Sequence, residues 1–180
     1  KTSRNLRLSP LHSRLEKAGA VFSAQMGWER PRWFNPEGIS THPELSFEKP
    51  GWFSLHAQEH DSARQSVVLI DQSTFGKLIV HGRDAKKFLQ RLCANDISSV
   101  HDKVVYSPML NKHGGFESDL TIMGLDEDRF FLVTGTGQSV RDHNWITQNI
   151  KPEEFVSVTD ITGDYAVISV AGPNSRKLLN

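Results

Sequence analysis

From Ser66 onward the chain settles into regular alternation of apolar and polar positions. Val67 to Asp71 and Gly76 to His81 have the two-residue period of strands, and Asp84 to Cys93 has the spacing of an amphipathic helix with Asp84 placed to cap it. Val104 to Leu110 and Phe116 to Gly124 flank a glycine-bearing turn and read as a hairpin, with a further strand at Arg129 to Thr134. A helix is expected from about Gln138 to Ile150, strands at Phe155 to Asp160 and Tyr165 to Ala171, and another helix after Pro173. Hairpin-linked strands interrupted by helices predict an α+β fold with mixed, largely antiparallel sheets rather than a doubly wound parallel one.

The first 65 residues follow a different rule. Trp28, Trp33 and Trp52 fall here among Pro10, Pro31, Pro36, Pro43 and Pro50, so one short helix from Pro10 to Gly19 should give way to extended, irregular chain. Residues 1–65 therefore read as a Trp/Pro-rich arm or interdomain linker, and residues 66–180 as the domain proper. So much aromatic surface on polar coil favours a linker packed against an upstream domain over an arm folded on its own domain.

Composition narrows the partners. The 180 residues are 37% hydrophobic, enough for a substantial core, and 21 basic side chains balance 21 acidic ones. With no net field, neither nucleic acid nor an anionic membrane is an expected partner. The single cysteine, Cys93, precludes an internal disulfide and reads as a buried structural thiol. No apolar run reaches membrane-spanning length, and a soluble protein is expected. The chain opens on Lys1 and closes at Asn180 as a helix begins, which suggests a piece of something longer.

Three motifs suggest chemistry that their surroundings do not support. His56-Ala57-Gln58-Glu59-His60 has the spacing of an inverted zinc-peptidase helix, yet zinc needs a third protein ligand, and Asp61, Ser62 and Arg64 extend a polar, solvated face. Gly135-Thr136-Gly137 sits between a strand and a helix but lacks the third glycine and the lysine of a phosphate cradle. His113-Gly114-Gly115 has an oxyanion-loop look without any Gly-x-Ser-x-Gly nucleophile, so hairpin-turn glycines explain it. No metal site is expected.

Asp119 stands apart. It lies just beyond the glycine turn where the second hairpin strand enters a half-buried sheet, a position that disfavours aspartate unless a partner or a purpose holds it. The glycines permit close approach of a ligand to backbone, Tyr106 comes from the neighbouring strand, and Leu78, Ile122 and Val133 are placed to line a slot. The alternative is that Asp119 caps the turn through its own backbone.

At these residues the chain resembles a known family. Ile70-Asp71-Gln72-Ser73-Thr74-Phe75-Gly76-Lys77, Tyr106-Ser107-Pro108-Met109-Leu110-Asn111 with Gly114-Gly115, Ser118-Asp119-Leu120-Thr121 and Val170-Ala171-Gly172-Pro173-Asn174-Ser175 are similar, in order, to signatures of the aminomethyltransferase folate-binding domain, the T-protein of the glycine cleavage system and its relatives. Leu6 to Leu11 and Gly27 to Phe34 resemble the region joining flavin and folate domains in sarcosine and dimethylglycine dehydrogenases. The resemblance covers essentially all 180 residues and implies the N-terminal half of a tetrahydrofolate-binding domain. Asp119 matches the family's catalytic aspartate and Tyr106 a pterin-side contact, while Leu78, Thr121 and Val133 fall near pocket-lining positions.

In the flavin-linked members an N-methyl amine is oxidised at FAD and its carbon passes to tetrahydrofolate. The resemblance thus implies FAD in an upstream domain, a methylated amine and folate as small-molecule partners, and an address in the bacterial cytoplasm or the mitochondrial matrix. A non-catalytic regulatory module on the same scaffold and a tetrahydrofolate-dependent demethylase are the alternatives. The family's second half, its C-terminal barrel and the flavin fingerprint are not in this sequence, so the piece alone is expected to be inactive and to bind folate weakly.

Overall fold

The computed structural model describes residues 3–38 and 47–180. Pro43, noted above, lies outside the described residues. The fold is α+β, and the chain divides into two compact units, Lys1–Thr74 with Ala166–Asn180, and Phe75–Tyr165.

The second unit is a five-stranded sheet backed by two helices. Its strands are β4 (Gly76–His81), β5 (Val105–Leu110), β6 (Phe116–Asp126), β7 (Arg129–Thr134) and β8 (Ser157–Asp160), in the order β5-β6-β7-β4-β8 with every neighbour antiparallel. The helices of this unit are α3 (Ala85–Leu92) and α4 (Ser139–Gln148). Side chains on alternate strand positions share a face, and one face (Leu78, Val80, Leu120, Ile122, Phe130, Leu132) joins Phe88 and Leu89 of α3 and Ile146 of α4 in a single buried cluster. Gly76 lets α4 come this close: a Cβ there would stand 2.5 Å from the Cβ of Ser139. Cys93 belongs to this core, and burial pushes its thiol up to about 11 against a weaker opposing hydrogen bond from Ser107.

One carboxylate is buried on the core side. Asp142 of α4 is 1% exposed and its Oδ2 accepts hydrogen bonds from Ser118 Oγ of β6 at 2.6 Å and from Thr134 Oγ1 of β7. The β6–β7 ladder ends at the pair Leu120–Thr134, so Asp142 ties the two strands together where backbone pairing stops. Asp84 behaves differently from the expected cap. It occupies the N-cap position of α3 without a side-chain cap bond, and its Oδ2 instead accepts the amide of Phe155, 71 residues on, at 2.9 Å.

The first unit corrects the expectation of an irregular N-terminal arm. After α1 (His12–Lys17) come β1 (Ala20–Gln25) and β2 (Trp28–Phe34), an antiparallel hairpin, and then the 13-residue helix α2 (Phe53–Gln65). Its two turn residues, Met26 and Gly27, have φ of 52° and 80°, the left-handed pair that a two-residue hairpin loop requires. Pro31 is tolerated because β2's pairing on its other side is a single bridge between Trp28 and Arg7, away from the proline, and a register shift falls opposite Pro31, between Val21 and Phe22. The tryptophans find cover inside this unit: Trp28 and Trp33 are buried, Trp33 stacks on Trp52 at 5.3 Å, and the Arg7 guanidinium lies 5.0 Å over Trp28. Strands β3 (Val68–Asp71) and β9 (Ile168–Ala171) form a separate antiparallel pair, followed by α5 (Ser175–Leu179).

Glu29 anchors the segment before α1. Its side chain is buried, and it accepts Arg4 Nε and Nη2 at 2.7 Å each and the Asn5 amide at 2.8 Å. The Arg4 hydrogen bonds, then the Asn5 amide, hold its carboxyl down at about 2 against an ordinary 4.5. A carboxyl lowered by folding contributes stability that is complete above its unfolded value and disappears as pH falls through the folded one. Thermal melts of wild type and Glu29→Gln should therefore differ at pH 7, with the gap closing between about pH 4.5 and pH 2. A gap independent of pH would show that Glu29 acts through packing alone. In the second unit, Asp142→Ala should cost about 3 kcal/mol in chemical denaturation, because two core hydroxyls lose their shared acceptor. Asp142→Asn, which keeps an acceptor oxygen, should cost less.

Candidate functional site

The opposite face of the five-stranded sheet carries four of the five predicted site residues, Asp119, Tyr106, Thr121 and Val133. Register fixes which ones meet: Tyr106 pairs with Thr121, Thr121 with Val133 and Val133 with Lys77, a row running straight across β5, β6, β7 and β4. Asp119 lies one inter-residue alternation along β6 from Thr121, opposite Pro108. Met123, Phe131 and Ile79 form the next row on the same face. Thr121, Val133, Met123, Phe131 and Ile79 are half-buried, and the Phe131 ring meets the edge of Tyr165 at 5.5 Å.

Leu78 does not belong to this face. It is fully buried in the core cluster with Leu132, its partner across the ladder, and Ile122 lies on the core side too. Alternation along a strand assigns neighbouring residues to opposite faces, so the β4 positions beside Val133 and Phe131 are Lys77 and Ile79. The sequence reading missed both. Parity relative to Val133 would have found them, but that parity depends on a β4–β7 register linking residues some fifty positions apart.

Asp119 is half-buried and accepts a hydrogen bond at Oδ2 from the Tyr106 hydroxyl, the phenol of the adjacent strand. That bond, with smaller contributions from burial and from the carboxylate's charge, raises the Tyr106 pKa above its ordinary value, so Tyr106 stays a proton donor to Asp119. Tyr106 itself is 59% exposed. Asn95, just after α3, fixes this residue from behind, its Nδ2 donating to the Tyr106 carbonyl at 2.7 Å and its amide to Ser107 Oγ at 3.0 Å.

The turn before Asp119 is organised by Asn111. Its Oδ1 accepts the amides of His113 at 3.0 Å and Gly115 at 2.9 Å, and its Nδ2 donates to Glu117 Oε1 at 2.8 Å. Arg141 of α4 donates to Glu117 Oε2 at 2.6 Å, and these contacts, Asn111 first, hold the Glu117 carboxyl below its usual range. Asn111 thus does the capping that was the alternative role for Asp119. The glycines serve the turn as well: Gly114 has φ of 76°, and a Cβ on Gly115 would lie 2.8 Å from Asn111 Nδ2.

The other motifs are occupied structurally. His56 Nε2 lies 2.7 Å from the Arg32 carbonyl and Glu59 Oε1 accepts the Phe34 amide at 2.9 Å, so both dock α2 on β2. Among the described residues no group of three or more His, Cys, Asp or Glu is placed to hold a metal ion. Gly135 accepts the Gln138 amide at 2.9 Å, forming a tight strand-to-helix connection into α4. A cavity of about 520 Å³ in the first unit, lined by Arg30, Phe34, His56, Glu59, Val68 and Ile70 among others, contains none of the predicted site residues.

The sequence is 40% identical to "4-methylaminobutanoate oxidase (formaldehyde-forming)" of Paenarthrobacter nicotinovorans over 99% of the chain and 22% of that protein. It is 36% identical to mitochondrial dimethylglycine dehydrogenase of Homo sapiens, over 96% of the chain and 20% of that protein. It is 32% identical to the mitochondrial pyruvate dehydrogenase phosphatase regulatory subunit of Mus musculus, over 99% and 21%. The chain therefore spans about a fifth of the length of the curated relatives it matches. In structure it resembles the glycine cleavage system aminomethyltransferase T of Bartonella henselae, with a TM-score of 0.76 and 26% identity over 97% of this chain and 43% of that one. A family match extends from residue 11 to residue 180, and on that span the chain belongs to the GCVT N-terminal domain family.

Proposed function

We propose that this chain forms part of a tetrahydrofolate site that receives the one-carbon unit of an oxidised N-methyl amine. The observation that carries the reading is Asp119, held on a rigid strand by the Tyr106 hydroxyl and set beside an exposed aromatic ring and a half-buried, largely flat face. A flat bicyclic carrier fits such a face: Thr121 and Val133 offer a small polar and a small apolar floor, and Tyr106 a stacking surface. Kinship with dimethylglycine dehydrogenase and 4-methylaminobutanoate oxidase supports a methylated amine as the carbon source.

Tetrahydrofolate supplies two N–H nitrogens that together replace the amine as the carbon's partners, releasing two protons, one to the departing amine and one to solvent. The Asp119 carboxylate is the base for the first of these and the acid that returns it to the amine nitrogen. Its negative charge also lies close to where the cationic carbon donor must sit, and Tyr106 keeps the carboxylate oriented. Amine oxidation belongs to a flavin-bearing region elsewhere in the parent protein. That protein is assigned to the bacterial cytoplasm or the mitochondrial matrix. With Tyr106 largely exposed, the 180-residue chain by itself binds the carrier weakly.

Kinship with a phosphatase regulatory subunit favours a second reading, in which the same scaffold serves a protein partner and transfers nothing. Titrating tetrahydrofolate into the full-length protein separates the two: saturable binding supports the first and its absence the second. In an amine-dependent assay, Asp119→Asn should leave amine oxidation intact, lower carbon transfer by roughly 100-fold or more and divert the carbon to free formaldehyde. Unchanged transfer in a folded Asp119→Asn protein would remove the aspartate from the chemistry. Tyr106→Phe, which deletes the donor to Asp119, should lower transfer by roughly 10-fold or more.

A further inference from the structure

Asp119 sits on the least regular part of β6. The β5–β6 register shifts between Met109 and Leu110, opposite Glu117, and a bulge of this kind bends a strand and re-aims the side chains beside it. Asp119 faces Pro108, which has no N–H and whose carbonyl accepts the Ala94 amide at 2.9 Å, so this pair exchanges no ladder hydrogen bond. Pairing with β7 reaches only to Leu120–Thr134. The backbone ladder by itself therefore sets the rotation of β6 loosely at the aspartate. Ser118, the residue before it, is buried on the core side and donates to Asp142 Oδ2 at 2.6 Å.

We propose that Asp142 is a positioning residue for Asp119, acting through Ser118. This rests on the reading above in which Asp119 is the acid and base of the transfer. Neighbouring side chains leave a strand in opposite directions, so a grip that turns Ser118 toward α4 turns Asp119 toward the carrier. Asp142 is a costly way to hold a helix on a sheet. Its Oδ1 is buried with no hydrogen-bond partner among the described residues, which leaves the hydroxyls of Ser118 and Thr134 at Oδ2 to offset the burial. An apolar residue would pack α4 at lower cost but could not grip a hydroxyl. Gly76 serves the same contact, since a Cβ there would stand 2.5 Å from Ser139 Cβ and 2.7 Å from Thr134 Cγ2 and push α4 off the strands. Displacing a reacting group by about 1 Å costs on the order of 100-fold in rate, so a modest turn of β6 is enough to matter.

The test uses the full-length protein with a methylated amine and tetrahydrofolate, and follows amine oxidation, methylene-tetrahydrofolate and free formaldehyde separately. Ser118→Ala should lower kcat for carbon transfer by roughly 10-fold or more while the KM for tetrahydrofolate stays within about threefold. Amine oxidation should continue at the wild-type rate, with the untransferred carbon released as formaldehyde. Thr134→Val deletes the other hydrogen bond to Asp142 but spares the one beside Asp119, and its transfer should stay within about threefold of wild type. Asp142→Ala should lower transfer as Ser118→Ala does, and the two together should lower it no further, because both cut one link. If Asp142→Ala does not fold, the comparison of Ser118→Ala with Thr134→Val decides. Wild-type transfer by Ser118→Ala, an equal loss in Thr134→Val, or losses that multiply in the double variant overturns the proposal, the second being what a generally loosened sheet would give. Wild-type protein that forms no methylene-tetrahydrofolate from the amine overturns the functional reading itself, and that result is distinct from a Ser118→Ala protein that transfers like wild type.

Discussion

One face of the five-stranded sheet is committed to the core, and that commitment decides where every other side chain of the second unit goes. Leu78, Val80, Leu120, Ile122, Phe130 and Leu132 are shielded by α3 and α4, so their neighbours along each strand must lie on the reverse face. Sliding β6 by one residue would drive Asp119 into hydrocarbon and bring Leu120 out, an exchange that costs several kcal/mol for the carboxylate alone. The ladder therefore specifies the site by the same interaction that stabilises the fold. Asp119 is held in a definite direction because its neighbours on either side, Ser118 and Leu120, are buried.

Much of this was readable from residue pattern. Strands with clean alternation, β4 through β7, and the helices between them follow from period alone, because in each case one face is apolar and the other is not. Asp119, Tyr106, Thr121 and Val133 come together on one face, as the hairpin turn and the motif order implied. What sequence could not supply was long-range register. Leu78 differs from the positions on the reverse face by a single residue, and its pairing with Leu132 assigns it to the core. The β1–β2 hairpin was hidden for a local reason: Met26 adopts a left-handed conformation that a side chain rarely takes, and Pro31 disguises the second strand. Asp84 has the composition of a cap but is drawn to a distant amide, a choice made by tertiary contact.

Around the aspartate, rigidity is built from polar side chains acting on backbone. Asn111 fastens the turn, Glu117 receives both Asn111 and Arg141, and Asp142 on the next position of α4 reaches the hydroxyls of β6 and β7 on the core side. Two consecutive residues of one helix thus grip the start of β6 from its two faces. In the role proposed for Asp119, a base's oxygens must stay within hydrogen-bond reach of the reacting atom, and a strand fixed on both sides meets that demand better than a loop would.

The pairing of β3 with β9 has a bearing on how the polypeptide reaches its final state. Val68 meets Ala171 and Asp71 meets Ile168, so the whole of the second unit is strung between two strands of the first. Drawing those ends together from a disordered intervening stretch of this size forfeits about 4 kcal/mol of chain entropy, and far less once the stretch has condensed with its termini near one another. Condensing the inserted segment before β3 and β9 pair is thus the order of assembly that loses least chain entropy.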